Sequence, residues 1–364
     1  MADPGLRTAH DWHQGRQSTG RDAFVSNLRE TAERATRSAG AQEVDLEIAS
    51  MPISLRFAGP ALMRPMTRAM AHLRVAAVAD PALTVHLWDS STTGTAMTPP
   101  PWGRDDVREY GKIRGFFGDG FYCQYQRGSN LLTVLDVERR TAFVWIRSPQ
   151  ELPFFESAAP LRHLLALWLA AHDLQFIHAA AVGDERGTAV LLGNTGVGKS
   201  STALACLATG MSHVGDDYCV VRVPEAGAPA ASSVYCSAKA DERTLARLPF
   251  LRPMIANPER DGGEKAVCFM HEHLPDRLST GGPLRAILVP LIGAGRKTRI
   301  AVARPGAALA AAAPSTILQF SGTGQATLAR LVRLTRSAPC YHLELGTDTA
   351  GVAQAVATVL DTAA

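Results

Sequence analysis

The sequence predicts an α/β protein in which a small α+β part precedes a larger core, a mixed sheet flanked by helices. Three observations favour this class. β-Rich runs separated by tight turns fill residues 120–147. An apolar strand leads through a glycine-rich loop into a helix over residues 188–209, and strands and helices alternate from there to residue 362. The pattern divides the chain into a polar N-terminal segment (1–48), an α+β domain (49–150) and a core domain (151–364).

Composition and charge are those of an ordinary globular protein, with 46% hydrophobic and 20% charged residues. The formal net charge is +3, from 37 Lys and Arg against 34 Asp and Glu, so nothing attracts the whole chain to nucleic acid or a membrane. Residues 1–50 lack the apolar run of a secretory signal, and we expect a soluble, cytoplasmic protein. Six cysteines without CxxC spacing fit reduced, buried thiols: Cys123, Cys206, Cys219, Cys236, Cys268 and Cys340.

The elements of the N-terminal part follow from local pattern. Residues 21–38 indicate one weak amphipathic helix, through Phe24, Val25 and Leu28, within an otherwise loose tail. Alternation predicts strands over 53–59 and 83–88, with a helix between them. Turn residues fill the loop 91–103. The strands predicted over 120–126, 131–138 and 140–147 are separated by tight turns and therefore favour an antiparallel meander.

In the core domain, an apolar helix over 160–174 leads into strands over 176–182 and 188–193. Later strands are predicted over 234–239, 266–273, 284–292 and 340–346. Helices are predicted over 242–251, 305–318, 324–336 and 349–362.

The glycine-rich loop fits the phosphate-binding pattern GxxxxGK[ST]. An apolar strand precedes it and a helix follows it, which favours a phosphate cradle over a glycine turn with an accidental Lys-Ser. Backbone N–H groups and the helix N-terminus bind phosphate, the lysine neutralises the β- and γ-phosphates, and the Ser200 hydroxyl binds Mg²⁺. We expect ATP as the nucleotide, bound by Gly193, Asn194, Thr195, Gly196, Val197, Gly198, Lys199, Ser200 and Ser201.

Two adjacent carboxylates, Asp216 and Asp217, follow this loop after one helix and a short strand. The helix descends by roughly 17 Å at about 1.5 Å per residue. Extended chain at about 3.3 Å per residue then returns Asp216 to the level of the phosphates on the neighbouring strand. One carboxylate can accept the proton of an attacking hydroxyl while the other holds Mg²⁺ through water. The alternative is a solvated turn, and the following strand leaves open that the pair lies at a bend.

These residues resemble the catalytic domain of the HPr serine kinase/phosphorylase family, whose fold is shared more distantly with ATP-dependent phosphoenolpyruvate carboxykinases. The resemblance is strongest over 176–223, in FIHAAAV, GNTGVGKS and GDD. It implies that the core domain is a P-loop kinase domain, with His178, Asp216 and Lys199 catalytic and with Ser200 and Asp217 at the metal. On the residues alone, His178 is better explained as a core histidine in an apolar strand; the resemblance reverses this interpretation and implies that His178 holds Asp216 by a hydrogen bond.

Longer stretches resemble a sub-group of these kinases that is encoded with lasso-peptide biosynthesis: LRFAGPAL, AMAHL, ACLATGMSHVGDDY, VYCSAKADERTLARLP, LRAILVP and APCYHLELG. This resemblance implies ATP- and Mg²⁺-dependent phosphorylation of the C-terminal serine of a precursor peptide. No second glycine-rich signature follows the Asp pair, which argues against HPr as the substrate. Alternative functions left open are a carrier-protein or small-molecule kinase and a non-catalytic nucleotide-binding regulator. Assembly into a homo-oligomer is also left open.

Four further residues are weaker candidates. Lys239 and Arg285 lie at the edges of predicted elements, where each could reach a γ-phosphate or simply lie on the surface. His271 and His273 would share one face of a predicted strand, but no third ligand is nearby and the pattern is not HExxH, so a metal site is not favoured.

Overall fold

The computed structural model describes the backbone of residues 9–225, 227–319 and 324–363, and the side chains from residue 20 onward within these ranges. Residues 1–8 of the predicted polar segment lie outside the described residues. The described chain forms two compact units. The first comprises the described residues of Met1–Asp45 together with Pro52–Pro65 and Ala77–Pro153, and the second comprises Leu46–Met51, Met66–Ala76 and the described residues of Phe154–Ala364.

The strands of the described chain are β1 (Ala41–Ile48), β2 (Met51–Ala58), β3 (Leu83–Asp89), β4 (Lys112–Gly118), β5 (Phe121–Gln126), β6 (Leu131–Asp136), β7 (Thr141–Ile146), β8 (Leu174–Asp184), β9 (Gly187–Leu192), β10 (Ser212–Gly215), β11 (Tyr218–Arg222), β12 (Ala230–Ser232), β13 (Ser237–Ala240), β14 (Ala266–Phe269), β15 (Gly281–Ile292), β16 (Arg299–Val302) and β17 (Cys340–Leu345). The helices are α1 (Ala9–Ala39), α2 (Met63–Thr67), α3 (Ser90–Thr93), α4 (Phe154–Ala158), α5 (Arg162–Ala171), α6 (Lys199–Ala208), α7 (Glu242–Arg247), α8 (Met270–His273), α9 (Pro305–Gln319), α10 (Gly324–Ser337) and α11 (Thr349–Thr362).

The first unit is built on a seven-stranded sheet in the order β1-β2-β3-β7-β6-β5-β4. Strands β2, β3 and β7 run parallel, whereas β7, β6, β5 and β4 are antiparallel neighbours. The predicted antiparallel meander is therefore confirmed, with β4 as a further strand at its edge. Helix α1 packs its apolar face into the same core: Phe24, Val25, Leu28, Ala32 and Ala35 are buried together with Trp88, Val134 and Phe143.

Two N-terminal elements differ from the sequence prediction. Helix α1 is longer than the weak helix predicted over 21–38, and its apolar residues from Phe24 to Ala35 recur at helical spacing and are buried in the core of the first unit. The helix predicted after residue 59 is instead the short α2 followed by a 3₁₀ turn over Arg68–Leu73. Pro65 lies inside α2, and a proline lacks the N–H that a longer α-helix would use.

The second unit is an α/β core, as predicted. Its sheet is mixed: β9, β15 and β17 are parallel neighbours, and β8 and β16 are antiparallel to them. Through β11 and β12 the pairings return from β8 to the start of β15, so these strands close into a ring. Helices α9 and α10 bury apolar side chains against one face, and α6 and α11 against the other.

Residues 66–76 belong to the second unit through specific contacts. The Arg68 guanidinium donates two hydrogen bonds to Glu272, at 2.7 and 2.5 Å, and lies 4.0 Å from the centre of the Phe269 ring. The Cys236 amide donates to the Ala69 carbonyl at 2.7 Å. The strand predicted over 266–273 is wrong beyond Phe269, where the chain turns into α8, so His271 and His273 do not share a strand face.

All six cysteines are buried free thiols, as their spacing predicts. No helix of the described chain combines the length and the apolar character that crossing a membrane requires.

We expect Leu28→Ala to lower the free energy of unfolding by about 2–5 kcal/mol, because Leu28 is fully buried between α1 and the sheet. Urea unfolding followed by circular dichroism measures this change. Arg29→Ala, at the exposed neighbouring position, is the matched control and should change stability by less than about 0.5 kcal/mol. Equal effects of the two substitutions would contradict the packing of α1 on the sheet.

Candidate active site

The glycine loop connects β9 to α6 within the second unit. Strand β9 is fully buried and ends at Leu192, and α6 begins at Lys199. Gly198 precedes the helix with φ +100°, a conformation that L-residues rarely adopt, and a Cβ atom there would lie 2.5 Å from Leu345 Cδ1. Gly196 also has positive φ, at +87°, but a Cβ atom there would meet no atom of the described chain within 4 Å. The loop therefore favours glycine at both positions because of the positive φ, and at position 198 there is also no room for a side chain.

Lys199 is buried, with 6% of its surface exposed. Its ammonium donates to the carbonyls of Gly193 and Asn194, at 2.7 and 3.1 Å. Burial lowers the pKa of Lys199, while the charges of Asp216 and Asp217 act in the opposite direction. A cation is thus held inside the loop, within electrostatic range of the two carboxylates, and a cation in this place can neutralise the charge of a phosphate group.

The Asp pair lies at an irregularity in the sheet. Strands β10 and β11 both pair antiparallel with β8 and follow one another along its length, and the strand is interrupted between them at Asp216 and Asp217. The Ala179 amide of β8 donates to the Asp217 carbonyl at 3.0 Å across the interruption. Ala179 is also paired with Leu192, the residue that enters the glycine loop. The pair therefore lies level with the loop, across the single intervening strand β8.

Asp216 is almost fully buried, with 2% of its surface exposed. Its Oδ2 accepts a hydrogen bond from the Lys239 amide at 2.9 Å, whereas its Oδ1 is buried with no hydrogen-bond partner in the described part of the chain. Burial, followed by the charge of Asp217, raises the pKa of Asp216; the Lys239 amide and the Ser200 hydroxyl act against this rise. Asp216 thus holds protons more strongly than an ordinary aspartate, and one of its oxygens is available to accept one.

Asp217 has the opposite electrostatic character. Its backbone is left-handed, with φ +66°, a conformation that Asp tolerates better than most residues. Its Oδ2 forms an ion pair with the Lys239 ammonium, and its Oδ1 lies 3.7 Å from His178 Nε2. Burial raises the pKa of Asp217, but His178 and Lys239 outweigh burial and hold that pKa well below its ordinary value. Asp217 therefore stays ionised beside Asp216.

The structure corrects two sequence-based expectations within the site. The family pattern predicts that His178 holds Asp216, but its imidazole faces Asp217, because β8 pairs His178 with Tyr218, the residue directly after Asp217. Helix and strand lengths predict Asp216 on the strand next to the loop, but β8 lies between the strand bearing the pair and β9. The expected return of the Asp pair to the level of the loop is confirmed. The order of the strands could not be obtained from the length of the helix alone.

The weaker candidates separate clearly. Lys239 joins the site through both its ammonium and its amide. A sequence signal for it existed, since it is the one charged residue in the otherwise small and apolar strand β13. Arg285 lies elsewhere: its Nε donates to the Arg186 carbonyl at 2.9 Å, beside the start of β9, whereas the loop follows the end of β9. Arg285 is therefore wrong as a candidate for the γ-phosphate.

The residues of the site fit Mg²⁺ held jointly with a nucleotide. The Ser200 hydroxyl, which interacts with Asp216, is a hard oxygen donor of the kind that Mg²⁺ prefers, and the two carboxylates concentrate negative charge near it. Asp217, the other predicted metal residue, is already ion-paired with the Lys239 ammonium, so a metal ion that bound to Asp217 would replace that ammonium. Within the described residues, no group of three or more His, Cys, Asp and Glu side chains could hold a metal ion by itself.

Comparisons with known proteins find similarity among solved structures. No protein-family model and no curated protein matches the chain. Among solved structures it is similar to the HPr(Ser) kinase/phosphatase from Coxiella burnetii, at 12% sequence identity and a TM-score of 0.28, over 52% of this chain and 95% of that chain. These values are too low to transfer an activity or a residue role from that enzyme.

We expect Gly198→Ala to destabilise the chain more than Gly196→Ala, its matched control. Both substitutions force an L-residue to positive φ, at a cost of about 1–2 kcal/mol. Only the alanine at position 198 also meets Leu345, which adds about 1–3 kcal/mol. Thermal unfolding measures the difference, and adding Leu345→Ala to Gly198→Ala should narrow it. Equal melting temperatures for the two single variants would contradict this packing of the loop.

The two carboxylates should respond oppositely to neutralisation. Because folding raises the pKa of Asp216 above 3.8, its contribution to stability is greatest below that pH and is lost as pH rises through the folded pKa. Asp216→Asn should therefore raise the melting temperature near pH 7 by about 2–4 °C, equivalent to about 1 kcal/mol, and by less near pH 4.

Asp217→Asn is the matched control for the same measurement. Folding lowers the pKa of Asp217, so its contribution is present above pH 3.8 and is lost only as pH falls through the still lower folded pKa. This variant also leaves the Lys239 ammonium unpaired and should lower the melting temperature near pH 7. Shifts of the same sign in both variants would contradict the division between the two carboxylates.

Proposed function

We propose that the chain is an ATP- and Mg²⁺-dependent kinase that phosphorylates a serine hydroxyl of a peptide, the C-terminal serine of a lasso-peptide precursor. The observation that carries the proposal is the buried Asp216 with one unpartnered oxygen, level with a glycine loop that ends in Lys199 and Ser200. A serine hydroxyl is a weak nucleophile at neutral pH, so its transfer chemistry needs a carboxylate that orients it and accepts its proton.

Asp216 is suited to be that base. The Lys239 amide fixes its Oδ2, which leaves Oδ1 as the atom that accepts the hydroxyl proton. The pKa of Asp216 is raised by burial and by Asp217, and a higher pKa makes a carboxylate a stronger proton acceptor once ionised. As the serine oxygen bonds to the γ-phosphorus, its proton passes to Asp216, and the bond from phosphorus to the departing oxygen of the nucleoside diphosphate breaks.

The loop supplies positioning and charge. The backbone N–H groups of residues 193–201 bind the phosphates, and the Lys199 ammonium exchanges its two loop carbonyls for phosphate oxygens. Ser200 would hold Mg²⁺, with Asp217 linked to the ion through water, and the ion would neutralise negative charge on the phosphates when it is bound. These contacts stabilise developing charge without any covalent intermediate on the protein.

Asp217 acts through its neighbours in this proposal. Held ionised by Lys239 and His178, it keeps negative charge beside Asp216 and so sustains the raised pKa of the base. Lys239 remains a candidate for a phosphate contact, because a cation that is shared with Asp217 can turn toward a second anion. The choice of a peptide acceptor rests on the sequence resemblance of the stretches outside the loop and the Asp pair.

Incubating the chain with ATP, Mg²⁺ and a short peptide that ends in serine should add one or more phosphoryl groups to that serine, detected by mass spectrometry. Asp216→Asn should reduce the transfer by about 10²–10⁴-fold, because it removes the proton acceptor. The variant should still bind ATP, since the loop is unchanged. A peptide that ends in alanine is the matched control substrate.

The other outcomes identify the alternatives. ATP hydrolysis without phosphate on either peptide would favour a carrier protein or a small molecule as the acceptor, and equal phosphorylation of both peptides would contradict the choice of the terminal serine. Saturable ATP binding without any phosphoryl transfer would indicate a nucleotide-binding regulator. Full transfer by Asp216→Asn would contradict the assignment of the base.

A further inference from the structure

The first unit contains a cleft of about 580 Å³ that takes no part in the chemistry described above. The loop around Trp102 forms one wall, and strands β5, β6 and β7 form the other, through Tyr125, Leu132 and Trp145. Its volume lies in the range of sites that enclose a ligand or a large side chain. Three aromatic rings in one cleft form a surface of the composition found at the centres of binding interfaces.

Two of these rings are held in place by hydrogen bonds. The Trp145 Nε1–H donates to the Ser90 hydroxyl at 2.9 Å, and the Tyr125 hydroxyl donates to Asn130 Oδ1 at 3.0 Å. Both rings are only partly buried, so they retain exposed faces. A ligand that stacks on them therefore meets rings whose orientation is already fixed, and little side-chain freedom is lost on binding.

The opposite wall is equally well ordered. The Trp102 ring lies 4.9 Å from the Phe24 ring and 5.3 Å from the Phe116 ring, centre to centre. Three prolines, at residues 99–101, restrict the backbone directly before Trp102. The Thr98 hydroxyl anchors the start of this segment by a contact of 2.7 Å with the Thr31 hydroxyl of α1. Both walls of the cleft are thus fixed by contacts within the first unit itself.

The charge of the cleft is entirely positive. Arg104 and Arg127 line it, both are exposed, and neither forms an ion pair with a described residue. None of the described lining residues is acidic. The nearby Asp106 is occupied by Arg114, at 2.5 Å, and Glu151 is occupied by Arg147, at 2.6 Å. Two such guanidinium groups at the edge of an aromatic cleft fit a ligand with an apolar body and carboxylates beside it.

We propose that this cleft binds an acidic segment of the acceptor peptide, with one aromatic or large aliphatic side chain inserted between the three rings and flanking carboxylates on the two arginines. This inference rests on the proposed function. A terminal serine offers a catalytic site few atoms, so affinity and choice of peptide must come from contacts made elsewhere along the acceptor. The Trp, Tyr and Arg content of the cleft favours a peptide as the ligand, since these residues dominate binding energy at protein interfaces.

The proposal is tested by direct binding to the full chain without nucleotide. The probe is a fluorescein-labelled nonapeptide of sequence Gly-Ser-Glu-Glu-Phe-Glu-Glu-Gly-Ser, and binding is followed by fluorescence anisotropy. Two matched peptides carry Ala in place of Phe or Gln in place of every Glu. We expect saturable binding of the first peptide, at least roughly tenfold weaker binding of each control, and weaker binding at higher salt.

Matched variants locate the binding. Arg104→Gln with Arg127→Gln should weaken binding by about tenfold, whereas Arg29→Gln with Arg108→Gln changes net charge equally at exposed positions outside the cleft. The first pair should also raise KM for a serine-ended acceptor that contains the acidic segment and leave kcat unchanged. Equal weakening by both pairs, or equal affinity for the Phe and Ala peptides, would overturn the proposal, as would displacement of the peptide by ATP.

The two proposals fail separately. Phosphoryl transfer with an unchanged KM in the Arg104 and Arg127 variant would remove the docking cleft and leave the kinase assignment intact. Specific peptide binding that depends on both arginines, without phosphorylation of any serine, would leave the cleft and remove the kinase assignment.

Discussion

Two adjacent carboxylates, the buried Asp216 and the half-buried Asp217, lie level with a glycine loop, and different groups of the chain contact each of them. At an effective dielectric constant of about 20, two unit charges about 4 Å apart repel by about 4 kcal/mol. Such a pair survives folding only if one charge is neutralised or compensated. Lys239 contacts both carboxylates from one position of β13: its ammonium compensates the charge of Asp217, and its amide donates a hydrogen bond to Asp216. Strand β13 is therefore as much a part of the site as the loop.

The interruption between β10 and β11, at Asp216 and Asp217, makes this arrangement possible. A regular strand would send successive side chains to opposite faces of the sheet. The left-handed backbone at Asp217 breaks that alternation, so one carboxylate is buried toward Ser200 and the other is turned toward His178 and Lys239. The result is two acids of different proton affinity in neighbouring positions, the property by which one group can accept protons while the other remains charged.

The sequence predicted the glycine loop with its flanking elements and the meander of the first unit correctly. Each of these features is formed by residues that are close together in the chain, so a local pattern is enough to indicate it. A strand, a glycine loop and a helix occupy consecutive residues, so the local pattern of residues 188–209 predicts all three. The short β-rich runs predict the meander of the first unit in the same way. Pairings between distant segments carry no such signal. The insertion of β8 between the Asp pair and β9, the contact of His178 with Asp217, and the place of Arg285 all follow from long-range strand order.

The polar segment at the start of the chain is a second case in which long-range contacts, and not the local sequence, decide the structure. Its composition favours a loose tail, because few apolar residues are available to be buried. Yet Phe24, Val25 and Leu28 all lie on one side of α1, and the sheet of the first unit supplies the apolar surface that they cover. Phe24 also supports Trp102, so the helix that looked least structured on sequence alone orders one wall of the aromatic cleft. Tertiary packing, rather than local propensity, decides the structure of such a segment.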